Sequence, residues 1–185
     1  SNGVSLRDKL MANNSKLNAF ASRFSEPSNF LMSRSFAKSL FGIAKERSLP
    51  MLKRVTLKSW LKANKQPEHQ NKVYLFCDEY TNYYDVEIGK KAVQLLNRLG
   101  YQVLFTEHEE SGRAYISKGF LDEAKAIATK NVALFSKLVS MDIPLIGIEP
   151  SAILGFRDEY INLVDPDIKD EAVKLSKHVF LIDDI

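Results

Sequence analysis

Glu79, His108, Glu109, Glu110 and Glu149 have the chemistry to ligate a hard cation or to share acid and base work. Their spacing follows no metal motif, so no metal site is assigned to them. Cys77 is the sole thiol. One cysteine excludes an intrachain disulfide framework and any zinc or iron-sulfur site built from several cysteines of this chain. At the end of the apolar run KVYLFC, Cys77 reads as a small buried hydrophobe, because no Ser/His/Asp or Cys/His set accompanies it. His69 and His178 read as solvent-facing. Arg113, directly after Gly112, has two readings. It could clamp a carboxylate bidentately, or pair with Asp158 or Glu159 and pin its loop to the following helix. The crowding of RDEY at 157–160 favours pinning. Pro150 and Ser151 mark a helix start, with Ser151 as the N-cap. Such a start can bind an anion, though capping is the simpler role. Neither GxGxxG nor GxxxxGKS/T occurs, so the common phosphate loops are absent.

Those residues lie on connections, and the flanking elements decide where they meet. KVYLFC at 72–77, YQVLF at 101–105 and IPLIGI at 143–148 are short apolar runs that read as buried strands. VEIGKKAVQLLNRL at 86–99 reads as an amphipathic helix, with Asp85 to cap its start and Gly100 its end. Phe120, Leu121, Ala124, Ile127, Ala128, Val132, Phe135, Leu138 and Val139 mark the apolar face of a long helix. This alternation predicts an α/β fold: right-handed βαβαβ units in a parallel sheet of three or more strands flanked by helices. In such sheets ligands sit beyond the carboxyl ends of the strands. CDEYTNYYD, EHEESGRA and EPSA should share that edge.

Residues 1–70 have a different texture, and we set a boundary between a basic helical connector at 1–70 and an α/β domain at 71–185. Leu6, Leu10, Leu17 and Phe20 fit one helical stripe; Phe30, Leu31, Phe36, Leu40 and Phe41 fit another. SEPSN at 25–29 and SLP at 48–50 break the pattern, a third helical piece ends at Trp60, and KANKQPEHQN at 62–71 reads as a linker. The 13 Lys+Arg and 4 Asp+Glu of residues 1–70 give +9, against −6 for the 13 and 19 of residues 71–185. That asymmetry reads as a docking surface for an acidic neighbour, and no nucleic-acid partner is expected. No run of 18 apolar residues and no signal-peptide core occur, which makes a cytoplasmic setting the expectation.

The strings EYTNYYDVEIGKKAVQLLNRLGYQV (79–103), SGRAYISKGFLDEAK (111–125), KN (130–131) and IPLIGIEPSAILGFRDEY (143–160) resemble the cysteine-rich CCG domain. That domain occurs in FAD-linked 2-hydroxy-acid oxidases of the D-lactate dehydrogenase type and in glycolate oxidase iron-sulfur subunits. It also occurs in one of the subunits of anaerobic glycerol-3-phosphate dehydrogenase and in one of those of heterodisulfide reductase. LRDKL (6–10), GIAKERSLP (42–50) and LKSWL (57–61) resemble the helical connector upstream of the first repeat. In the family a cysteine, then CCG, then a further cysteine bind an iron-sulfur cluster. The resemblance places these at Glu79, at Glu110-Ser111-Gly112, and at Ala152, so the thiols are gone.

The resemblance therefore implies a degenerate, cluster-free repeat without catalysis of its own, whose relic site is lined by Glu79, Glu110, Ser111, Gly112, Arg113, Ser151 and Ala152. It further implies a piece of a longer oxidoreductase of small 2-hydroxy acids such as D-lactate or glycolate. FAD and iron-sulfur clusters would reside in that parent, not in this piece. The expected neighbours are ferredoxin-type and FAD domains and a second CCG repeat, with a peripheral place at the inner membrane through the parent complex. The alternative is a small-anion or carboxylate binding module built on the Arg113 loop and the Ser151 helix start.

Overall fold

A computed structural model describes residue 9, residues 11–33 and residues 50–185. The expected stripe positions Leu6, Leu10, Phe36, Leu40 and Phe41 lie outside the described residues, as do most of LRDKL and GIAKERSLP. Helices α1 (Asn14–Ala21) and α2 (Ser25–Ser33), joined by a 3₁₀ turn, precede α3 (Leu57–Ala63). Thr56 caps α3 by accepting from the Ser59 N–H. Then come β1 (Asn71–Phe76), α4 (Glu79–Tyr83), α5 (Val86–Arg98), β2 (Tyr101–Leu104), α6 (Arg113–Ser117) and α7 (Leu121–Phe135). The order ends with β3 (Leu145–Gly147), α8 (Pro150–Ile153), α9 (Glu159–Leu163), α10 (Lys169–Ser176) and β4 (Val179–Leu181).

The four strands form one parallel sheet in the order β2-β1-β3-β4. The expected α/β fold is thus observed, with one more strand than the three apolar runs located. Alternate residues of each strand serve opposite faces. On one face Val73, Leu75, Cys77, Val103 and Ile146 pack with Leu57 and Leu61 of α3 and with Val86, Val93 and Leu96 of α5. On the other, Phe76, Leu145 and Val179 pack against residues of α7, α8, α9 and α10. Each fully buried aliphatic side chain stabilises the fold by about 1.5–3 kcal/mol. The core draws on residues from both sides of the 70/71 boundary, because α3 is part of it.

Close backbone approach fixes one end of the sheet. A Cβ on Gly147 would lie 2.4 Å from the Ile153 Cβ, so only glycine lets α8 rest directly on β3. The N-terminal helices are tied to the sheet domain by polar contacts: Tyr84 Oη donates to Asn18 Oδ1 (2.9 Å) and Tyr115 Oη to Asn13 Oδ1 (3.0 Å). Among the described residues, no helix is long and apolar enough to cross a membrane.

Candidate functional site

Because the sheet is parallel, the segments after β1, β2 and β3 emerge at one edge. Carboxylates from the β1 and β3 segments bond to chain N–H groups there, including one in the β2 loop. After β1, Asp78 caps α4: its carboxylate accepts from Thr81 N (2.8 Å) and Thr81 Oγ1 (2.6 Å). Burial raises the Asp78 pKa to about 6, against the lowering effect of those two hydrogen bonds. Glu79 then reaches across to the β2 loop, where Oε2 accepts from Ser111 N (3.0 Å) and Oε1 from Ser111 Oγ (2.6 Å). Ser111 is buried, and its Oγ in turn accepts from Arg113 N at 3.2 Å.

After β3, the cap of α8 is Glu149 and not Ser151, correcting the expectation from sequence. Glu149 Oε2 accepts from Ala152 N at 2.9 Å, and Ser151, inside the first turn, donates its hydroxyl to the same carboxylate. The helix begins at Pro150, two residues ahead of the expected start, so Glu149 stands at the cap position and satisfies the N–H of the third helical residue, Ala152. Asp85 stands at the N-cap of α5 without a side-chain cap bond.

Arg113 takes the pinning role, with Nη1 donating to Glu159 Oε1 on α9. Gly112 starts α6 at φ +69°, a left-handed conformation that glycine alone adopts at no steric cost. Tyr160, fully buried beside Glu159, donates its hydroxyl to the Ser111 carbonyl at 2.8 Å. Burial drives its pKa well above the usual tyrosine range.

The β2 loop is held from below by Asn131, which carries no motif, and by His108. Asn131 on α7 is fully buried. Its Oδ1 accepts from Glu109 N (3.1 Å), while Nδ2 donates to the Glu110 carbonyl (2.9 Å). The detectable signal was an amide in the middle of the apolar stripe of α7. His108, considered from sequence as a cation ligand or acid/base group, stacks on Phe76 with ring centroids 4.5 Å apart. Its Nε2 accepts from Cys77 N at 3.1 Å, which leaves Nδ1 to donate to the Glu109 carbonyl at 2.6 Å. Burial, reinforced by the nearby Lys58 cation, pushes its pKa down to about 3. Lys58 itself donates to the His108 carbonyl at 2.9 Å, and its pKa is lowered by burial.

Cys77 is buried, as expected, and burial raises its thiol pKa far out of the nucleophilic range. His69 and His178 are half-buried rather than solvent-facing. Among the described residues no three His, Cys, Asp or Glu side chains are placed to hold a metal ion.

Of the seven expected site residues, Glu79, Ser111, Arg113, Ser151 and Ala152 line one cavity of about 480 Å³. Glu110 instead lines a second cavity of about 200 Å³ with Lys58, Cys77, Asn82 and His108; Glu79 borders both. Gly112 lies in the turn between Ser111 and α6. The larger cavity is acidic, with Asp78, Glu79, Asp85 and Glu149 in its wall against Arg113. Arg113 is engaged by Glu159 and the α8 N–H by Glu149, so the two groups considered for an external anion already have anionic partners.

Comparison with known proteins adds relatives at modest identity. The chain is 28% identical over 139 residues to D-2-hydroxyglutarate dehydrogenase of Pantoea ananatis, covering 68% of this chain and 13% of that protein. It is 30% identical over 93 residues to the enzyme of that name from Haemophilus influenzae, covering 50% of this chain and 9% of that protein. One of the subunits of anaerobic glycerol-3-phosphate dehydrogenase from Escherichia coli is 28% identical over 140 residues, covering 74% of this chain and 35% of that protein. The chain is therefore similar to a segment shared by two kinds of dehydrogenase, each much longer than the match. No protein-family model matches it, and no solved structure matches it.

Proposed function

We propose that this chain is a cluster-free CCG-type repeat, a structural unit of a flavin-linked, iron-sulfur oxidoreductase that oxidises a small 2-hydroxy acid. The observation that carries this reading is the Glu79 to Ser111 bridge, at two positions where the CCG pattern has cysteines. A cluster needs several thiolates, and the residues aligned with its ligands offer two carboxylates, a hydroxyl and a methyl. Glu79 already commits both oxygens to Ser111, closing the β1 loop onto the β2 loop. The donor set does not fit an iron-sulfur cluster, so no electron-transfer step is assigned to this chain. Its contribution is mechanical: a rigid sheet edge that spaces the flavin and cluster domains of the parent.

The CCG resemblance suggests D-lactate or glycolate as the parent's substrate, and similarity to D-2-hydroxyglutarate dehydrogenases supports adding D-2-hydroxyglutarate to that class. Similarity to a protein named as one of several subunits of a dehydrogenase supports work within a larger assembly. The test is recovery of the native polypeptide from its source cells with an antibody to this chain. Flavin released on denaturation, together with dye reduction driven by one of the three acids, is the expected result. A polypeptide and partners that carry neither flavin nor iron would contradict the reading.

A further inference from the structure

The first helices of the chain have their polarity reversed. A surface helix ordinarily buries its apolar side. Along α1, the 3₁₀ turn and the start of α2, the described side chains that are buried are Asn18, Ser22 and Ser25, while Leu17, Phe20 and Phe24 are 43%, 70% and 59% exposed. Polar contacts hold the inner side. Asn13 and Asn18 accept from the hydroxyls of Tyr115 and Tyr84, and Asn29 bonds to both the N–H and the carbonyl of Leu52, each at 2.9 Å. The three-four spacing of Leu17, Phe20 and Phe24 lines them along one ridge, with the two ring centroids 6.2 Å apart. They lie outside the cavities of about 200, 270, 350 and 480 Å³. Scattered exposed aliphatics need no explanation, but a helix that buries its serines and exposes its phenylalanines does.

The residue types around the ridge select the occupant. Arg23, next to Phe24 in the chain, is exposed. Beside α2, where Asn29 holds Leu52, the mixture repeats: Met51 and Val55 are exposed together with Lys53 and Arg54. Residues 34–49, which connect the two in sequence, add Arg34, Lys38, Lys45 and Arg47 against Glu46. Arg23, Lys53 and Arg54 make no ion pair among the described residues, and Glu26 is the one acid among the described residues before Leu57. A protein groove that took the phenylalanines would have to meet each of these cations with a carboxylate at a fixed position. A second copy would bring like charges together. An anionic bilayer needs no such match: aromatic rings enter the boundary between headgroups and acyl chains, while arginine and lysine beside them reach the phosphates. We propose that the ridge of Leu17, Phe20 and Phe24, with the basic segment beside α2, docks the chain on the surface of an anionic lipid bilayer. The chain lies on that surface without crossing it, by a contact of its own. The proposal does not depend on whether the sheet edge descends from a cluster site.

The test is co-sedimentation of the whole chain with phosphatidylcholine vesicles, with and without about 30% phosphatidylglycerol. The expected result is saturable binding to the anionic vesicles, at least about tenfold tighter than to the neutral ones and weakened at least about fivefold by about 0.5 M salt. Phe20→Ser combined with Phe24→Ser should lower binding at least about tenfold with circular dichroism and Tm unchanged, and Arg23→Glu should lower it at least about threefold. Leu95→Ser, on the exposed flank of α5, should leave it unchanged. Binding indifferent to the two phenylalanines, equal binding to both kinds of vesicle, or no binding to either, which would leave a partner protein as the occupant, would overturn the proposal. So would a fall in Tm of the double variant, because the ridge would then be covered within the chain. Self-association that the double variant removes would overturn it too, since a second copy would then be the occupant.

Discussion

His108 and Asp78 are buried ionisable groups whose effects on stability oppose each other. The His108 pKa falls to about 3 on folding from an ordinary 6.5, so the native state binds fewer protons than the unfolded chain between those values. Its contribution is complete above about pH 6.5 and is lost as the pH falls towards 3. Asp78 rises from 3.8 to about 6, so its contribution is complete below 3.8 and is lost as the pH rises through 6. His108→Phe keeps the aromatic stack but leaves the Cys77 N–H without its acceptor, at a cost of about 1–3 kcal/mol near neutrality. In urea titrations at several pH values, the stability of wild type relative to the variant should rise from pH 3 to 6.5 and stay level above. A constant gap would mean that His108 titrates normally in the folded state. The Glu79 to Ser111 bridge should appear as coupling: a double-mutant cycle with Glu79→Ala and Ser111→Ala should give about 0.5–3 kcal/mol of interaction energy. Strict additivity would indicate that the two loops are held by other contacts.

Elements were legible where hydrophobic patterning was strong. The apolar runs at 101–105 and 143–148 contain β2 and β3, the run at 72–77 matches β1 to within one residue, and the stripe of α7 was visible from its periodicity. β4 escaped because a three-residue strand at an edge leaves almost no pattern, and α4 because it is a single turn inside what reads as a loop. The cap of α8 differs because the helix starts at Pro150, which puts Ser151, the residue favoured by preference, inside the first turn and Glu149 at the cap. Two substitutions test how elements are held together. Asn131→Ala should strip the β2 loop of its anchor on α7, costing about 2–4 kcal/mol by leaving Glu109 N and the Glu110 carbonyl unsatisfied. A loss below about 0.5 kcal/mol in chemical denaturation would show that the loop holds itself. Gly147→Ala should cost about 1–3 kcal/mol or more, as its methyl would overlap the Ile153 side chain. An unchanged Tm would mean that α8 can shift away from β3 freely.

At the scale of the whole molecule, the sheet edge gathers three loops whose N–H donors are answered by carboxylates of the chain itself. The sequence reading anticipated that edge because parallel topology follows from alternating strands and helices. It could not anticipate the division of the edge into two cavities, which depends on where Glu79 points. The central claim is that this self-satisfied edge holds no iron-sulfur cluster and is folded without one. Iron and acid-labile sulfide, measured per folded chain after anaerobic purification together with the visible spectrum, test it most directly. A colourless, folded protein without stoichiometric iron or sulfide is the predicted result. A brown protein that keeps about four irons per chain through gel filtration would contradict the account.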